Sequence, residues 1–384
     1  MNVFKKLLYI IPAAALAFTM TACTDVENIE IDHVGGHQTL SDPINDPYYV
    51  NLREYKAQAN NYGRPVAFGW FSNWAPSGVM RKGYLSSVPD SMDIISMWSG
   101  APGRYEITEA QKKDKEFAQK VKGIKLLEVS LLSYLGKGRT PEYIYEEINK
   151  KAAAEGWSQN KIAQEKKLAR WDFWGFTSHD LNNTENLNQA LSNFAKALCD
   201  SLFVSEWDGF DIDWEPGSGF NDSDGTLNGT TIKFLVKEMG KYIGPMSDPE
   251  GKGHKLLVID GLIGYFDREC DDYVDYWITQ SYGSSRPHYY GPGDTKKLII
   301  TENFESGFAY GGQLLNQARW MPENGCKGGV GAYRFDNDYD NTPDYRWMRR
   351  LYRSISRCST SGRRRRTALL MANNLKTSVF HLIN

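Results

Sequence analysis

The segment DGFDIDWE, at residues 208–215, places four acidic side chains within one short and otherwise apolar run. Side chains alternate between the two faces of a β-strand, so Asp211, Asp213 and Glu215 share one face and the apolar residues between them share the other. Carboxyl groups this close together and partly withdrawn from water raise one another's pKa, a cost that a purely structural strand has no reason to carry. The segment therefore predicts a strand with an apolar face toward a helix layer and an acidic, functional face.

The acids of this segment allow two interpretations other than acid/base chemistry. Asp208 falls on the opposite face from the other three acids, which favours a structural role at the start of the strand. A metal site competes for the remaining acids, but no His lies nearby in the sequence. Carboxylates along one strand also do not surround an ion as a calcium-binding loop does. The pattern therefore favours acid/base chemistry without a metal or another cofactor.

Short apolar runs alternate with amphipathic stretches from about residue 63 onward. Strands are predicted at 65–73, 92–98, 124–132, 207–215, 256–262, 276–282, 297–302 and 330–335, and helices at about 108–121, 141–154, 160–169, 185–203, 230–243 and 343–357. Eight strands with interposed helices predict a parallel sheet closed into a (β/α)₈ TIM barrel, as a single domain. Glu215 then lies at the C-terminal end of the fourth strand, the edge at which such barrels place their active sites.

The N-terminal residues have the pattern of an export signal. Lysines at 5 and 6 precede the apolar stretch 7–20, which is too short for a comfortable membrane span. The residues MTAC at 20–23 resemble the lipobox of bacterial lipoproteins, so we predict a signal peptide at 1–22 and a lipidated Cys23. The predicted location is the outer membrane, exposed at the cell surface through the lipid anchor. A plain secretory signal and a periplasmic location are the alternative.

Three further segments complete the predicted organisation. Residues 23–62 are interpreted as a polar tether and lead-in, 63–357 as the barrel, and 358–384 as a basic, poorly ordered tail. The acids that follow Cys23 resemble the surface-export signal of Bacteroidetes lipoproteins. The other four cysteines are widely and irregularly spaced, which favours buried thiols over a disulfide framework. A net charge of −2 gives no general attraction for nucleic acid.

The four acids of DGFDIDWE match the DxxDxDxE signature, and the chain resembles glycoside hydrolase family 18, the chitinases and endo-β-N-acetylglucosaminidases. The resemblance implies substrate-assisted retention. Glu215 would protonate the glycosidic oxygen and later activate water, while the 2-acetamido oxygen of the substrate attacks the anomeric carbon. Asp213 would orient the acetamide and stabilise its developing charge, and Asp211 would hold Asp213.

The triplet QSY at 280–282 is similar to the sixth-strand motif of this family. The resemblance implies that Tyr282 hydrogen-bonds the acetamide carbonyl and that Gln280 faces the sugar. Aromatic rings can stack on the apolar face of a pyranose, and plain core packing is the alternative for each ring. The candidate sugar platforms on the first, second and eighth strands are Trp70, Trp98 and Tyr333.

Three departures from the chitinase pattern narrow the expected substrate. The third strand continues as LSYLG at 132–136 in place of the SxGG motif, and Tyr333 stands where chitinases usually carry a Trp. The seventh and eighth predicted strands are also too close in sequence to hold the α+β insertion that deepens the groove of processive chitinases. These features predict an open cleft, which suits the chitobiose core of a branched N-glycan better than a long chitin chain.

The expected function is therefore a retaining endo-β-N-acetylglucosaminidase that cleaves GlcNAc-β1,4-GlcNAc. A chitinase or chito-oligosaccharide hydrolase is one alternative, and a non-catalytic glycan-binding surface lipoprotein is another. The expected partners are the glycan substrate, the membrane through the lipid anchor alone, and other glycan-uptake proteins at the cell surface. No nucleic-acid partner is expected.

Overall fold

The computed structural model describes residues 42–59, 63–98, 106–219, 222–323 and 325–355. The predicted signal peptide, Cys23 and the basic tail at 358–384 lie outside the described residues. The chain divides into two compact units, 1–49 and 50–384. The described part of the first unit contains a turn and the start of helix α1 (Pro47–Ala57), and the second unit contains all eight strands.

Eight parallel strands close into a barrel in chain order, each paired with the next and the last paired with the first. The strands are β1 (Val66–Phe71), β2 (Ile94–Met97), β3 (Lys125–Leu131), β4 (Gly209–Trp214), β5 (Leu256–Gly261), β6 (Tyr276–Gln280), β7 (Leu298–Asn303) and β8 (Gly329–Tyr333). The predicted TIM barrel is confirmed. The strands end one or two residues from the predicted limits, so that Glu215 and Tyr282 stand just beyond their strands at the C-terminal mouth.

The remaining α-helices surround the barrel. They are α2 (Glu109–Glu116), α3 (Glu142–Glu155), α4 (Gln159–Trp174), α5 (Thr184–Val204), α6 (Thr231–Met239) and α7 (Leu314–Arg319), followed by a helix that includes residues 346–355. Thr108 and Gln111 form a capping box at the start of α2, each side chain accepting from the other's backbone N–H. Each of the six predicted helices therefore has a counterpart in the structure, while α1 and α7 were not predicted.

The structure departs from an alternating barrel after β1, β5 and β6. These connections contain 3₁₀-helices in place of an α-helix. The 3₁₀ segments are Arg81–Gly83, Leu85–Ser87, Pro245–Ser247, Ile263–Tyr265, Arg268–Tyr273, Thr295–Lys297 and Phe335–Asp340. No helix within the described ranges is both long enough and apolar enough to cross a bilayer.

Helix α1 falls inside the range that the sequence analysis assigned to a polar tether and lead-in. The Lys56 ammonium donates to the carbonyl oxygen of Met92 at 2.6 Å, and Arg53 donates to that of Val121 at 2.9 Å. The packing of the barrel unit therefore extends N-terminal to residue 63. The helix is not evident in the sequence because the charged side chains of Lys56 and Arg53 make these contacts with backbone carbonyls.

Strand β4 separates the acids from the apolar residues as the alternation predicts. Phe210, Ile212 and Trp214 are buried in the layer that α5 and α6 also fill, while the intervening acids point into the barrel. Gly209 begins the strand because a Cβ there would lie 2.2 Å from the carbonyl oxygen of Leu256 on β5. The apolar face therefore fixes the direction of the acids.

Two of the predicted buried thiols are seen in the helix layer. Cys199 and Cys270 are both fully buried. Burial raises the pKa of Cys199 to about 12 and that of Cys270 to about 11. These thiols therefore remain protonated and act as small apolar side chains.

Truncation of Ile212 tests whether the outer face of β4 anchors the strand. We expect Ile212→Ala to lower the free energy of unfolding by about 2–5 kcal/mol and Ile212→Val by about 0.5–1.5 kcal/mol, because the residue is fully buried. Urea denaturation of the three proteins measures both differences. An Ala variant no less stable than the Val variant would contradict this assignment.

Candidate active site

The acids of β4 lie at different depths in the barrel. Asp211 is 0% exposed and Asp213 is 2% exposed, whereas Glu215, just past the end of the strand, is half-buried at the mouth. The charge of Glu215 contributes to the electrostatic environment of Asp213, so the two carboxyl groups are neighbours. The three acids therefore run from the interior of the barrel to solvent along one side of one strand.

Asp211 is held by two donors from neighbouring strands. The indole N–H of Trp70 on β1 donates to its Oδ2 at 3.0 Å, and the hydroxyl of Ser96 on β2 donates to the same oxygen at 2.6 Å. Trp70 is only 1% exposed, so its ring is enclosed and does not form the sugar platform that was expected. Its depth on β1 makes it a hydrogen-bond donor to Asp211 instead.

A third buried acid, Asp260 on β5, was not predicted. It is 0% exposed and lies opposite Asp213 in the β4–β5 register. The side-chain amide of Gln280 on β6 donates to its Oδ1 at 3.0 Å. The only sequence signal was a single acid in the otherwise apolar run LLVIDGL at 256–262, which lacks the repetition that made β4 conspicuous.

Burial raises the pKa of Asp211, Asp213 and Asp260. For Asp213 the nearby charge of Glu215 adds to this rise, while for Asp211 the hydrogen bonds from Ser96 and Trp70 oppose it. For each of the three, burial is the largest cause of the rise in pKa. The group therefore retains protons at a pH at which an exposed aspartic acid would have lost its own.

Aromatic rings form one side of the mouth. Tyr282 stacks against Tyr333 with ring centroids 6.2 Å apart and an interplanar angle of 29°. Trp98 meets Tyr333 edge-on at 5.5 Å and is 37% exposed. These three residues form what we call the aromatic wall, and the structure brings all three of them together with the acids of β4.

Tyr282 connects the aromatic wall to the carboxyl groups. Burial, followed by the negative charges of Asp260, Asp213 and Glu215, raises the pKa of its phenol well above the usual value. The hydroxyl therefore keeps its proton and can donate a hydrogen bond to a ligand in the mouth.

A cavity of about 330 Å³ is bordered by Glu215. Its lining includes Gln280 of β6 and Tyr289 of the following loop, together with residues 216–218, 261 and 262. It therefore places an acid, an amide and an aromatic ring around a space of the size of a small ligand site.

A larger cavity, of about 560 Å³, lies at the opposite, N-terminal end of the barrel. Two of its acids are engaged in ion pairs, Asp93 with Arg64 at 2.6 Å and Asp275 with His254 at 2.8 Å. TIM barrels place their active sites at the C-terminal face, so the mouth around Glu215 is the candidate site.

Asp208 takes the structural role expected from its position. It precedes β4 at the N-terminal end of the barrel, and its Oδ2 accepts from the amide of Gln119 at 2.7 Å and from the backbone N–H of Leu126 at 3.0 Å. Across the described ranges, no group of three or more His, Cys, Asp or Glu side chains is arranged to hold a metal ion.

A closed parallel barrel with carboxyl groups stacked beneath an aromatic mouth defines the class of TIM-barrel glycosidase-like proteins. The chain belongs to glycoside hydrolase family 18, because the family model described as "Glycoside hydrolase family 18, BT1044-like" matches residues 24–165 and 158–289. This membership confirms the resemblance seen in the sequence.

Several solved structures are similar to this chain. BT1044, in a selenomethionine form with a Glu-to-Gln substitution, is 27% identical, with 79% of this chain and 93% of that chain covered at a TM-score of 0.58. An endo-β-N-acetylglucosaminidase from Cordyceps militaris, a double mutant in complex with fucosyl-N-acetylglucosamine-Asn, shares the fold at 20% identity, with 81% and 96% coverage and a TM-score of 0.51. A chitinase from Pseudoalteromonas aurantia is 12% identical, with 75% and 99% coverage and a TM-score of 0.43. No curated protein matches the sequence.

Removal of the Ser96 hydroxyl should destabilise the protein more at high pH than at low pH. Below the raised pKa of Asp211, Ser96→Ala removes a bond to a neutral acid and should cost about 0.5–1.5 kcal/mol. Above that pKa it removes a donor from a buried carboxylate and should cost about 1.5–3 kcal/mol. Urea unfolding of both proteins, at one pH below and one pH above the raised pKa of Asp211, measures the difference in the free energy of unfolding.

Ser192→Ala is the matched control for this experiment. The Ser192 hydroxyl on α5 donates to the backbone carbonyl of Asn188 and contacts no carboxylate. The cost of this substitution should therefore be the same at both pH values. An equally constant cost for Ser96→Ala would mean that Asp211 does not change its ionisation inside the folded barrel over this range.

Proposed function

We propose that this protein is a retaining endo-β-N-acetylglucosaminidase that cleaves the GlcNAc-β1,4-GlcNAc bond of the N-glycan chitobiose core by substrate-assisted catalysis. One observation carries the proposal. Glu215 stands half-buried at the mouth beside the buried Asp213, and the protonated hydroxyl of Tyr282 lies within electrostatic range of both. An acid, an acetamide-orienting carboxyl and a phenol donor are the groups that this reaction requires.

In the first step, Glu215 donates its proton to the glycosidic oxygen as the bond from that oxygen to the anomeric carbon breaks. The acetamide oxygen of the same sugar attacks the anomeric carbon and closes an oxazolinium ring. Asp213 accepts a hydrogen bond from the acetamide N–H and stabilises the positive charge that develops there. Tyr282 donates its O–H to the acetamide carbonyl and so fixes the direction of attack.

In the second step, the Glu215 carboxylate takes a proton from water as the water oxygen attacks the anomeric carbon. The bond between the acetamide oxygen and the anomeric carbon breaks, which restores the acetamide and returns Glu215 to its acid form. Two displacements at the same carbon retain its configuration. One residue therefore acts first as acid and then as base.

The aromatic wall and the cavity beside Glu215 would each hold one of the two sugars of the cleaved bond. Because the proton goes to the oxygen between the sugars, one sugar must lie on each side of the acid. The aromatic wall would hold the sugar that carries the participating acetamide. The 330 Å³ cavity bordered by Gln280 and Tyr289 would receive the leaving sugar.

The open mouth supports a branched substrate over a long chitin chain. Strand β7 ends at Asn303 and β8 begins at Gly329, and the only α-helix described between them is the short α7. This connection is too short for an added domain that would deepen the groove. The fungal structure of the same fold, solved with fucosyl-N-acetylglucosamine-Asn, adds support for an N-glycan core as the ligand.

The proposal includes the cellular location expected from the N-terminus. Lipidation of Cys23 after removal of residues 1–22 would anchor the enzyme to the outer membrane, where glycoproteins outside the cell are accessible. Other glycan-uptake proteins at the surface would then receive the released glycan.

Replacement of Glu215 tests the proposed reaction. The wild type should release high-mannose glycan from a denatured glycoprotein, and Glu215→Gln should lower kcat by about 10²- to 10⁴-fold, because the amide cannot supply the proton. Glu109→Gln, on the surface of α2, is the matched control and should retain wild-type turnover. Mass spectrometry of the released glycans measures the rate for each variant.

The other outcomes separate the competing functions. Hydrolysis of chitin oligomers without glycan release would identify a chito-oligosaccharide hydrolase. Glycan binding without hydrolysis of either substrate would identify a binding protein. Equal turnover by the wild type and Glu215→Gln would remove Glu215 from the mechanism.

Participation of the acetamide is tested with an analogue of the cyclic intermediate. A thiazoline derivative of N-acetylglucosamine should inhibit the enzyme competitively. Asp213→Asn should lower kcat by about 10²- to 10³-fold with little change in KM, because the charge that stabilises the oxazolinium is lost. Steady-state kinetics measures both effects, and full activity at a saturating concentration of the thiazoline would argue against the cyclic intermediate.

A further inference from the structure

We propose that Asp260 is a positioning residue, a neutral carboxylic acid that donates a hydrogen bond from its Oδ2 to the buried carboxylate of Asp213. The catalytic consequence of this bond rests on the proposed function, whereas the protonation state of Asp260 does not. Nothing in the DxxDxDxE signature includes this residue, because it belongs to a different strand.

The positions of the two side chains bring them together. Asp213 and Asp260 are Cα partners in the β4–β5 register, and their carboxyl groups are within hydrogen-bonding reach of each other. Two ionised carboxylates have no hydrogen to share, so a hydrogen bond between them requires a proton on one of the pair. The pairing of these strands therefore makes a shared proton part of the site.

Three buried oxygens indicate where that proton lies. Among the described residues, Oδ1 of Asp211, Oδ1 of Asp213 and Oδ2 of Asp260 have no hydrogen-bond donor. Buried oxygens without a donor are costly, and most such atoms in folded proteins are satisfied. One proton on Oδ2 of Asp260 gives that oxygen a hydrogen bond to make and gives the carboxylate of Asp213 a donor.

The other contacts of the three acids favour Asp260 as the protonated member. Asp211 accepts from Trp70 and Ser96, which favours its ionised form. Asp260 accepts from Gln280 alone, and only through Oδ1. Oδ2 is thus left to carry the proton. In accord with this geometry, burial and the charges of Asp213 and Asp211 hold the pKa of Asp260 well above its usual value.

The titratable and polar groups that face Asp260 come from two adjacent strands and the mouth. Asp211 and Asp213 face it from β4, and Gln280 faces it from β6. Tyr282 of the mouth lies within electrostatic range of Asp260.

Two consequences follow for catalysis. A hydrogen bond from neutral Asp260 favours the ionised form of Asp213, which is the form that stabilises a positively charged oxazolinium. Oδ1 of Asp260 also holds the NH₂ group of Gln280, so the Gln280 carbonyl is left to accept a hydrogen bond from the sugar. Asp260 thereby orients Asp213 and Gln280, which contact the substrate, although Asp260 does not contact the substrate itself.

Infrared spectroscopy tests the protonation state directly. The folded wild type at neutral pH should show the C=O stretching bands of protonated carboxylic acids, and Asp260→Asn should lose one such band. Asp200→Asn, which removes a carboxylate paired with Lys196 on the surface, is the control and should retain it. Absence of the band from the wild type, or its full persistence in Asp260→Asn, would overturn the proposal.

The kinetic arm compares a substitution that can still donate a hydrogen bond to Asp213 with one that cannot. Asn at position 260 keeps a neutral donor for Asp213 and an acceptor for Gln280, so kcat should stay within about threefold of wild type. Ala removes the donor and should lower kcat by about 10- to 100-fold, the effect of losing one hydrogen bond to a charged group. Equal loss in both variants would show that an ionised Asp260 is required.

The two arms separate failure of this inference from failure of the proposed function. A wild type that hydrolyses no glycan but shows the band would remove the enzymatic role and leave the protonation state of Asp260 intact. If Asp260→Ala does not fold, the infrared spectra and the activity of Asp260→Asn still decide the matter.

Discussion

The structure depends on one constraint, the burial of carboxyl groups inside a closed barrel of parallel strands. Their inward direction is not a free choice of the acids, because the opposite face of β4 packs Phe210, Ile212 and Trp214 under the helix layer. A shift of one residue would exchange the two faces and place charges against that layer. The hydrophobic packing outside the barrel therefore supplies the force that holds Asp211 and Asp213 in an environment they would otherwise avoid.

The N-terminal end of strand β4 stabilises the fold, and its C-terminal end presents the acids of the candidate site. At its N-terminal end, Asp208 accepts backbone and side-chain donors, and Gly209 permits close approach to β5. Toward the C-terminal end the donors become fewer. Asp211 has two donors from β1 and β2, whereas Asp213 lies beneath the mouth with Glu215 beside it. Buried acids with few donors are tolerated where a substrate or a shared proton can complete their hydrogen bonds.

The sequence was sufficient for the barrel because repetition and alternation are local signals. Eight apolar runs gave all the strands, and the two-residue spacing of acids in β4 gave their common face. The features that were missed depend on contacts distant in sequence. Asp260 is one acid in an apolar run, and only the β4–β5 register brings it to Asp213. Trp70 had the composition of a sugar platform, but its depth in the barrel made it a donor to Asp211. Helix α1 was missed because its contacts are made by polar side chains.

Different parts of the fold position the acids of the site and the residues that line its mouth. The carboxyl groups are fixed by strand register and by the packing of the helix layer, which leave little room for change. The aromatic wall and the Tyr289 side of the cavity lie at strand ends and in loops, and the connections after β1, β5 and β6 contain only short 3₁₀-helices. Loops of this kind can change in length and sequence without disturbing the register of β4 and β5. Under the proposed function, substitutions that alter the accepted glycan should therefore concentrate in these loops, while substitutions on the inward faces of β4 and β5 should act on the reaction itself.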